Sequence, residues 1–247
     1  MLRLRQIALV ARDLDPVVEA FRTRLGVEVA FNDPGVVTFG LRNAVMPVGN
    51  QFVEVVSPIQ EGTAGGRYLD RRGGDGGYMV ILQTDQHADR RKRVADVGIR
   101  TVMDHQGKHY TVMQLHPADT GGTFLEIDEQ VGGEDMAAGP WEPAGPDWQK
   151  ARRTDVVTGI SAAEIQSPEP TRLAARWSDI LELPVTDSDG RAEIVLDNAR
   201  LRFVEATDGR GEGLGGIDLI PAEGATLEPM TICGMRIAFA PAKEPTT

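Results

Sequence analysis

The chain has 247 residues, 41% of them hydrophobic and 26% charged, with a formal net charge of −11. That balance supplies apolar side chains for one large or two small cores, and its acidic surface repels phosphate backbones, which argues against a nucleic-acid partner. The single cysteine, Cys233, rules out an internal disulfide and fits a reducing compartment, and no apolar run approaches the roughly 20 residues of a membrane span.

The N-terminal stretch MLRLRQIALVARDLD has basic residues, but its apolar part is too short for a signal segment and carries no cleavage site. It reads as the first strand of a cytoplasmic protein, over residues 4–11. Asp15-Pro16 then predicts a helix start, with Asp as cap and Pro in the first turn. Val17, Val18, Phe21 and Leu25 fall on one helical face, and Gly26 is a natural stop. Turn signals at Asn32-Asp33-Pro34-Gly35, Arg42-Asn43 and Val48-Gly49-Asn50 divide residues 28–58 into three strands, giving a βαβββ unit. A Gly-rich connection over 59–77, with a short helix around 67–72, leads to a second unit that begins at Tyr78. Its helix, about 88–97, carries the run Arg90-Arg91-Lys92-Arg93. Four consecutive positions point all round a helix, so the run reads as a solvated face rather than a phosphate site. The unit closes as a hairpin through LHP, ADTGG and TFLEID.

The two units match in spacing. RQIALVARDLDPVVEAFRTRLGVEV with QFVEVVSP repeats as GYMVILQTDQHADRRKRVADVGIRTV with TFLEIDEQ. Glu54 and Glu126 lie at equivalent places in the last strands, and Gln6 and Met79 in the first strands, as expected of two copies of one supersecondary unit with matched inward positions. Residues 131–153 are rich in Gly and Pro and read as a linker. Trp141 and Trp148 within it either pin it to a domain surface or line a pocket. A third unit begins at TGISAAEIQSPEPTRLAARWSDILELPV, with Leu173, Trp177, Ile180 and Leu181 as its helical face, and RLRFVEATD sets Glu205 against Glu54. A fourth, from GGIDLIPAEG to CGMRIAFAPA, has almost no room for a helix. The expected architecture is therefore α+β: domain 1–130, linker 131–153, and a degenerate second domain 154–247. Cys233 reads as a small core residue in a strand.

LHPADTGGTFLEID is similar to the ending of the methylmalonyl-CoA epimerase and glyoxalase-like branch of the vicinal oxygen chelate superfamily, and YLDRRGGDGGYMVILQTDQ to the segment between epimerase modules. The resemblance is strong over 1–130 and weaker over 155–240. It implies paired βαβββ modules whose curved mixed sheets form a cup. It also implies a divalent metal ion at Gln6, Glu54, Met79 and Glu126. Met79 stands where the superfamily places His, and a thioether is a poor ligand for ions that prefer oxygen. The equivalent second-domain positions are Ala162, Glu205, Asp218 and Ala238, leaving Glu205 and Asp218 as a carboxylate pair. The resemblance implies a glyoxalase- or epimerase-like lyase or isomerase acting on a small carbonyl-containing metabolite. Glu126 would be the base, Glu54 its partner, and Gln6, Met79 and His116 would contact substrate. His116 itself reads first as hairpin structure. Two alternatives stay open: a non-catalytic protein that sequesters a small molecule, and an extradiol-dioxygenase-like protein, which would need two His that are missing at the matched positions. A homodimer is a further possibility.

Overall fold

The structure, a computed structural model, describes residues 1–240 apart from Asp135 and Asp189. Strand β1 (Leu2–Val10) leads into helix α1 (Leu14–Leu25). A 3₁₀ turn (Pro34–Phe39), β2 (Leu41–Val48) and β3 (Gln51–Pro58) complete the first unit. Helix α2 (Ala64–Arg72) connects to the second unit: β4 (Gly76–Thr84), α3 (His87–Asp96), β5 (Thr101–Gln106), β6 (Tyr110–Leu115) and β7 (Phe124–Gln130). The third unit is β8 (Val157–Ser167), α4 (Pro170–Leu181), β9 (Val185–Ser188), β10 (Arg191–Val195) and β11 (Arg200–Glu205). The fourth is β12 (Gly213–Pro221), β13 (Met230–Ile232) and β14 (Met235–Phe239), with no helix between its strands.

These strands form two seven-stranded mixed sheets of like topology, β2-β3-β1-β4-β7-β6-β5 and β13-β14-β12-β8-β11-β10-β9. In each unit the first and last strands pair in parallel: β1 with β3, β4 with β7, β8 with β11, β12 with β14. The two units of a sheet meet antiparallel at its centre, β1 on β4 and β8 on β12.

Local chemistry moved several boundaries. The cap of α1 is Asp13, whose Oδ1 accepts from the Asp15 amide, so Asp15 is a first-turn residue and Leu14 joins Val17, Phe21 and Leu25 on the buried face. Gly26 ends the helix at φ +66° as expected, a conformation that excludes most side chains. The first unit has two outer strands rather than three. Residues 34–39 wind into the 3₁₀ turn, capped by Asp33, and only an isolated bridge from Phe31 to Val45 marks the missing strand. Arg42-Asn43 is not a turn but lies within β2. Cys233 sits with Gly234 in the two-residue turn between β13 and β14, both at positive φ, as such hairpins require.

Strand alternation sorts side chains between two cores. Leu4, Ile7 and Leu9 of β1, Val80 and Leu82 of β4, and Leu125 and Ile127 of β7 join Ile160, Ile165, Ile217, Leu219 and Trp177 in one core shared by both sheets. A smaller cluster occupies the opposite face of the first sheet and includes Ala8, Val45, Phe52, Tyr68, Tyr78, Met79, Ile81, Trp141 and Trp148. Polar clasps join the halves. Asn198 pairs with the Leu4 amide and carbonyl at 2.9 Å each, as a strand partner would, and Gln51 does the same for Ile160. Gly49, at φ +62°, lies so close to Thr158 that a Cβ there would be 1.9 Å from its carbonyl oxygen. The basic run of α3 is not simply a solvated face. Arg90 donates to the Leu181 carbonyl and Arg93 to that of Asp179, both at 2.6 Å, where cations complement the C-terminal end of α4.

Candidate functional site

The second cluster faces a cavity of about 550 Å³ lined by Gln6, Glu54, Met79, Glu126 and His116 among others. Four of these come from the central strands β1, β3, β4 and β7, and the period-2 pleat turns their side chains to one face. The volume suits a small molecule.

Each carboxyl has its own neutral partners. Glu54 accepts from Gln6 Nε2 at 2.8 Å and from Asn43 Nδ2 at 2.6 Å. Gln6 is oriented in turn by Trp141, whose Nε1 donates to Gln6 Oε1 at 2.8 Å. An indole nitrogen can only donate, which settles the amide: oxygen toward Trp141, nitrogen toward Glu54. Glu126 accepts from Gln114 Nε2 at 2.9 Å, and Gln114 stands directly opposite it on β6. Glu126 also hydrogen-bonds with Asp128, two residues along the same strand face. Asp128 is fully buried, and its Oδ2 accepts from the Tyr110 hydroxyl. Asp128 Oδ1 meets no donor among the described residues.

Electrostatics follows from this burial among neutral groups. Burial pushes the Glu54 carboxyl up to about 7; the hydrogen bond from Asn43 opposes the rise and the Glu126 charge adds to it. Burial also raises Glu126, against its bonds with Asp128 and Gln114. Asp128 is driven well above the carboxylate range, by burial first and by Glu126 second, so the two carboxyls titrate as a pair. At neutral pH the Glu54 carboxyl thus sits near its midpoint.

The donors do not fit a divalent cation. Both Glu54 oxygens are occupied by amides, and the Gln6 oxygen is turned to Trp141. Met79 offers a thioether, which is itself approached by Gln114 Nε2 at 3.9 Å. Gln6 and Glu54 are bonded to each other, Glu126 to Gln114, and among the described residues no three His, Cys, Asp or Glu side chains converge in a way that could hold a metal.

His116 combines two places. Its Nδ1 accepts from the Ala118 amide at 3.1 Å, capping the 3₁₀ turn Pro117–Asp119, while the residue also lines the cavity. Trp141 and Trp148 are both buried, so the segment after β7 packs over the sheet and reaches the carboxyls through Gln6. Four residues of the network escaped sequence reasoning: Asn43, Tyr110, Gln114 and Asp128. Asp128 had a signal, since alternation through Phe124-Leu125-Glu126-Ile127-Asp128 puts it on the face of Glu126. Asn43 was hidden by its turn-forming character, and Gln114 by a register that only strand pairing reveals.

The second sheet is filled differently. Glu205 is exposed at the end of β11 and does not pair with Asp218. Asp218 instead contacts Arg202 at 2.6 Å and Arg236 at 3.0 Å, and both arginines also bind Glu164. Burial opposes ionisation of Asp218, but Arg202 and Arg236 outweigh it and hold its carboxyl below the usual range.

The family described as Glyoxalase-like domain matches residues 7–181. Among solved structures, a hypothetical protein from Staphylococcus aureus is similar in fold over 97% of this chain and 99% of its own, at 12% identity and a TM-score of 0.70. Streptomyces coelicolor methylmalonyl-CoA epimerase in complex with 2-nitronate-propionyl-CoA is 25% identical, over 52% of this chain and 97% of that one, at a TM-score of 0.46. The Mycobacterium tuberculosis epimerase is also 25% identical, over 52% and 87%, at 0.45. No curated protein matches.

Proposed function

Because the chain belongs to the glyoxalase-like domain family, we propose that its N-terminal cavity catalyses proton transfer next to a carbonyl, as an isomerase or lyase that needs no metal. The observation that carries this reading is the pair of buried carboxyls, Glu54 and Glu126, in one cavity, both raised by burial among neutral partners. Glu126, as its carboxylate, takes the proton from the carbon next to the carbonyl. The C–H electrons move into an enolate, whose oxygen receives a hydrogen bond from protonated Glu54. Return of a proton from Glu54 to carbon completes the isomerisation and leaves Glu126 protonated and Glu54 ionised, and proton exchange with solvent restores the starting form. Asn43, Gln6 and Trp141 hold Glu54 in place, and Gln114 holds Glu126.

Incubation in D₂O with α-branched thioesters and with hemithioacetals of 2-oxoaldehydes tests this, with NMR reading deuterium at the α-carbon. Incorporation that Glu126→Gln abolishes is the expected result. Saturable binding with no incorporation would instead favour a sequestering protein, and unchanged incorporation in Glu126→Gln would place the base elsewhere.

A further inference from the structure

The proton transfer leaves two arginines of the cavity unused. Arg67 and Arg71 lie one turn apart on α2, on a single helical face, and both line the cavity. Both are exposed, and among the described residues neither forms an ion pair. Arg67 donates one nitrogen, Nη1, to the Gly62 carbonyl at 2.6 Å, and Arg71 lies over the Tyr68 ring at 5.2 Å from its centroid. This is a chain with 37 acidic and 26 basic residues, in which the neighbouring Arg12 and Asp70 do pair, at 2.7 Å. The cavity's own carboxyls turn to amides and not to these arginines.

Next to the arginines the wall is aromatic. Tyr78 meets Tyr68 and Phe124 edge to face, with centroids 4.9 and 5.0 Å apart. The cavity lining also includes Phe39 and Val102, which leave 57% and 46% of their surface exposed. An apolar body therefore has a surface to lie on, and an anion has two guanidinium forks to meet. The net charge of −11 repels anions generally, so a local cationic pair is what would admit one.

We propose that the ligand of this cavity is an amphipathic anion, with its apolar body against Tyr68, Tyr78 and Phe124 and its carboxylate or phosphate held between Arg67 and Arg71. The inference rests on the reading of this cavity as the substrate site and not on the proton transfer itself.

Calorimetric titration of the full chain with 3-phenylpropanoate, 3-phenylpropyl phosphate and 3-phenylpropan-1-ol tests it, because the three share one body and differ at one end. At least one anion should bind about tenfold or more tighter than the alcohol, and the tighter of the two identifies the anionic group. Arg67→Ala with Arg71→Ala should bring acid and alcohol within about twofold of each other, and the double Lys variant should retain part of the preference. Equal binding of all three probes, no saturable binding of either anion, or a preference that survives the double Ala variant overturns the proposal. Glu126→Gln separates the two readings: it should keep the anion preference while losing deuterium incorporation.

Discussion

In the first sheet the cup face carries Glu54 and Glu126, held by Asn43, Gln6 and Gln114, none of them cationic. In the second it carries Glu164 and Asp218, held by Arg202 and Arg236. The topology is the same, with the first pair on the last strands of their units and the second pair on the first strands, and the electrostatic outcome is opposite. Neutral donors satisfy lone pairs without offsetting charge, so burial raises the carboxyls of the first cup and keeps protons available near neutrality. Cationic partners offset the charge, so Asp218 is lowered and stays ionised. A buried carboxyl becomes useful for proton transfer where its partners are amides, and becomes a structural tie where they are guanidinium groups.

The largest test of this contrast is catalytic. Glu126→Gln should lower turnover roughly a thousandfold, the usual scale for a positioned base, whereas Asp218→Asn in the second cup should leave it within about twofold. On the same reading, activity falls as pH rises through about 7, where Glu54 loses its proton, and Glu54→Gln, with no proton to return to carbon, abolishes turnover.

Next is stability against pH. Glu54 titrates at about 7 in the folded chain against 4.5 in its reference state, so between those values the folded form binds more protons than the unfolded form. Its contribution is full below about 4.5 and is lost as pH rises through about 7, an effect on the order of 3 kcal/mol. Denaturant titrations between about pH 5 and 8 should show that decline in the parent and a shallower one in Glu54→Gln. If both slopes are equal, Glu54 is not the raised group. Arg202→Met should cost about 2–3 kcal/mol at neutral pH, because it strips a cation from Asp218 and Glu164. A change under about 0.5 kcal/mol would mean that the second network is not a structural tie. The smallest effect is that of Trp141→Phe, which keeps a ring but leaves Gln6 Oε1 without its donor, at about 1–2 kcal/mol by the same denaturation measurement.

The two sheets also lost different parts. The first unit lacks an outer strand, and the 3₁₀ turn that replaces it sets Val36 and Phe39 in the cavity lining. The fourth unit lacks its helix. The second loss was legible, since so short a connection cannot hold a helix and two turns. The first was not, because Pro34-Gly35 signals a break in the strand but is equally compatible with a tight turn and with a 3₁₀ segment.

The residue pattern by itself determined the repeat, the strand faces and the two carboxyls, because alternation and spacing are properties of the chain. Gln6, Glu54, Met79 and Glu126 do share one cavity. What surrounds them was decided in three dimensions. Trp141 lies 135 positions from Gln6 in sequence and Gln114 lies 12 from Glu126, and it is their hydrogen bonds that orient the amides. In the second sheet, registry set Arg202 and Arg236 around Asp218 and left Glu205 outside. Sequence spacing names the groups that reach a cavity, but protonation depends on burial and partner charge, and only packed neighbours supply those.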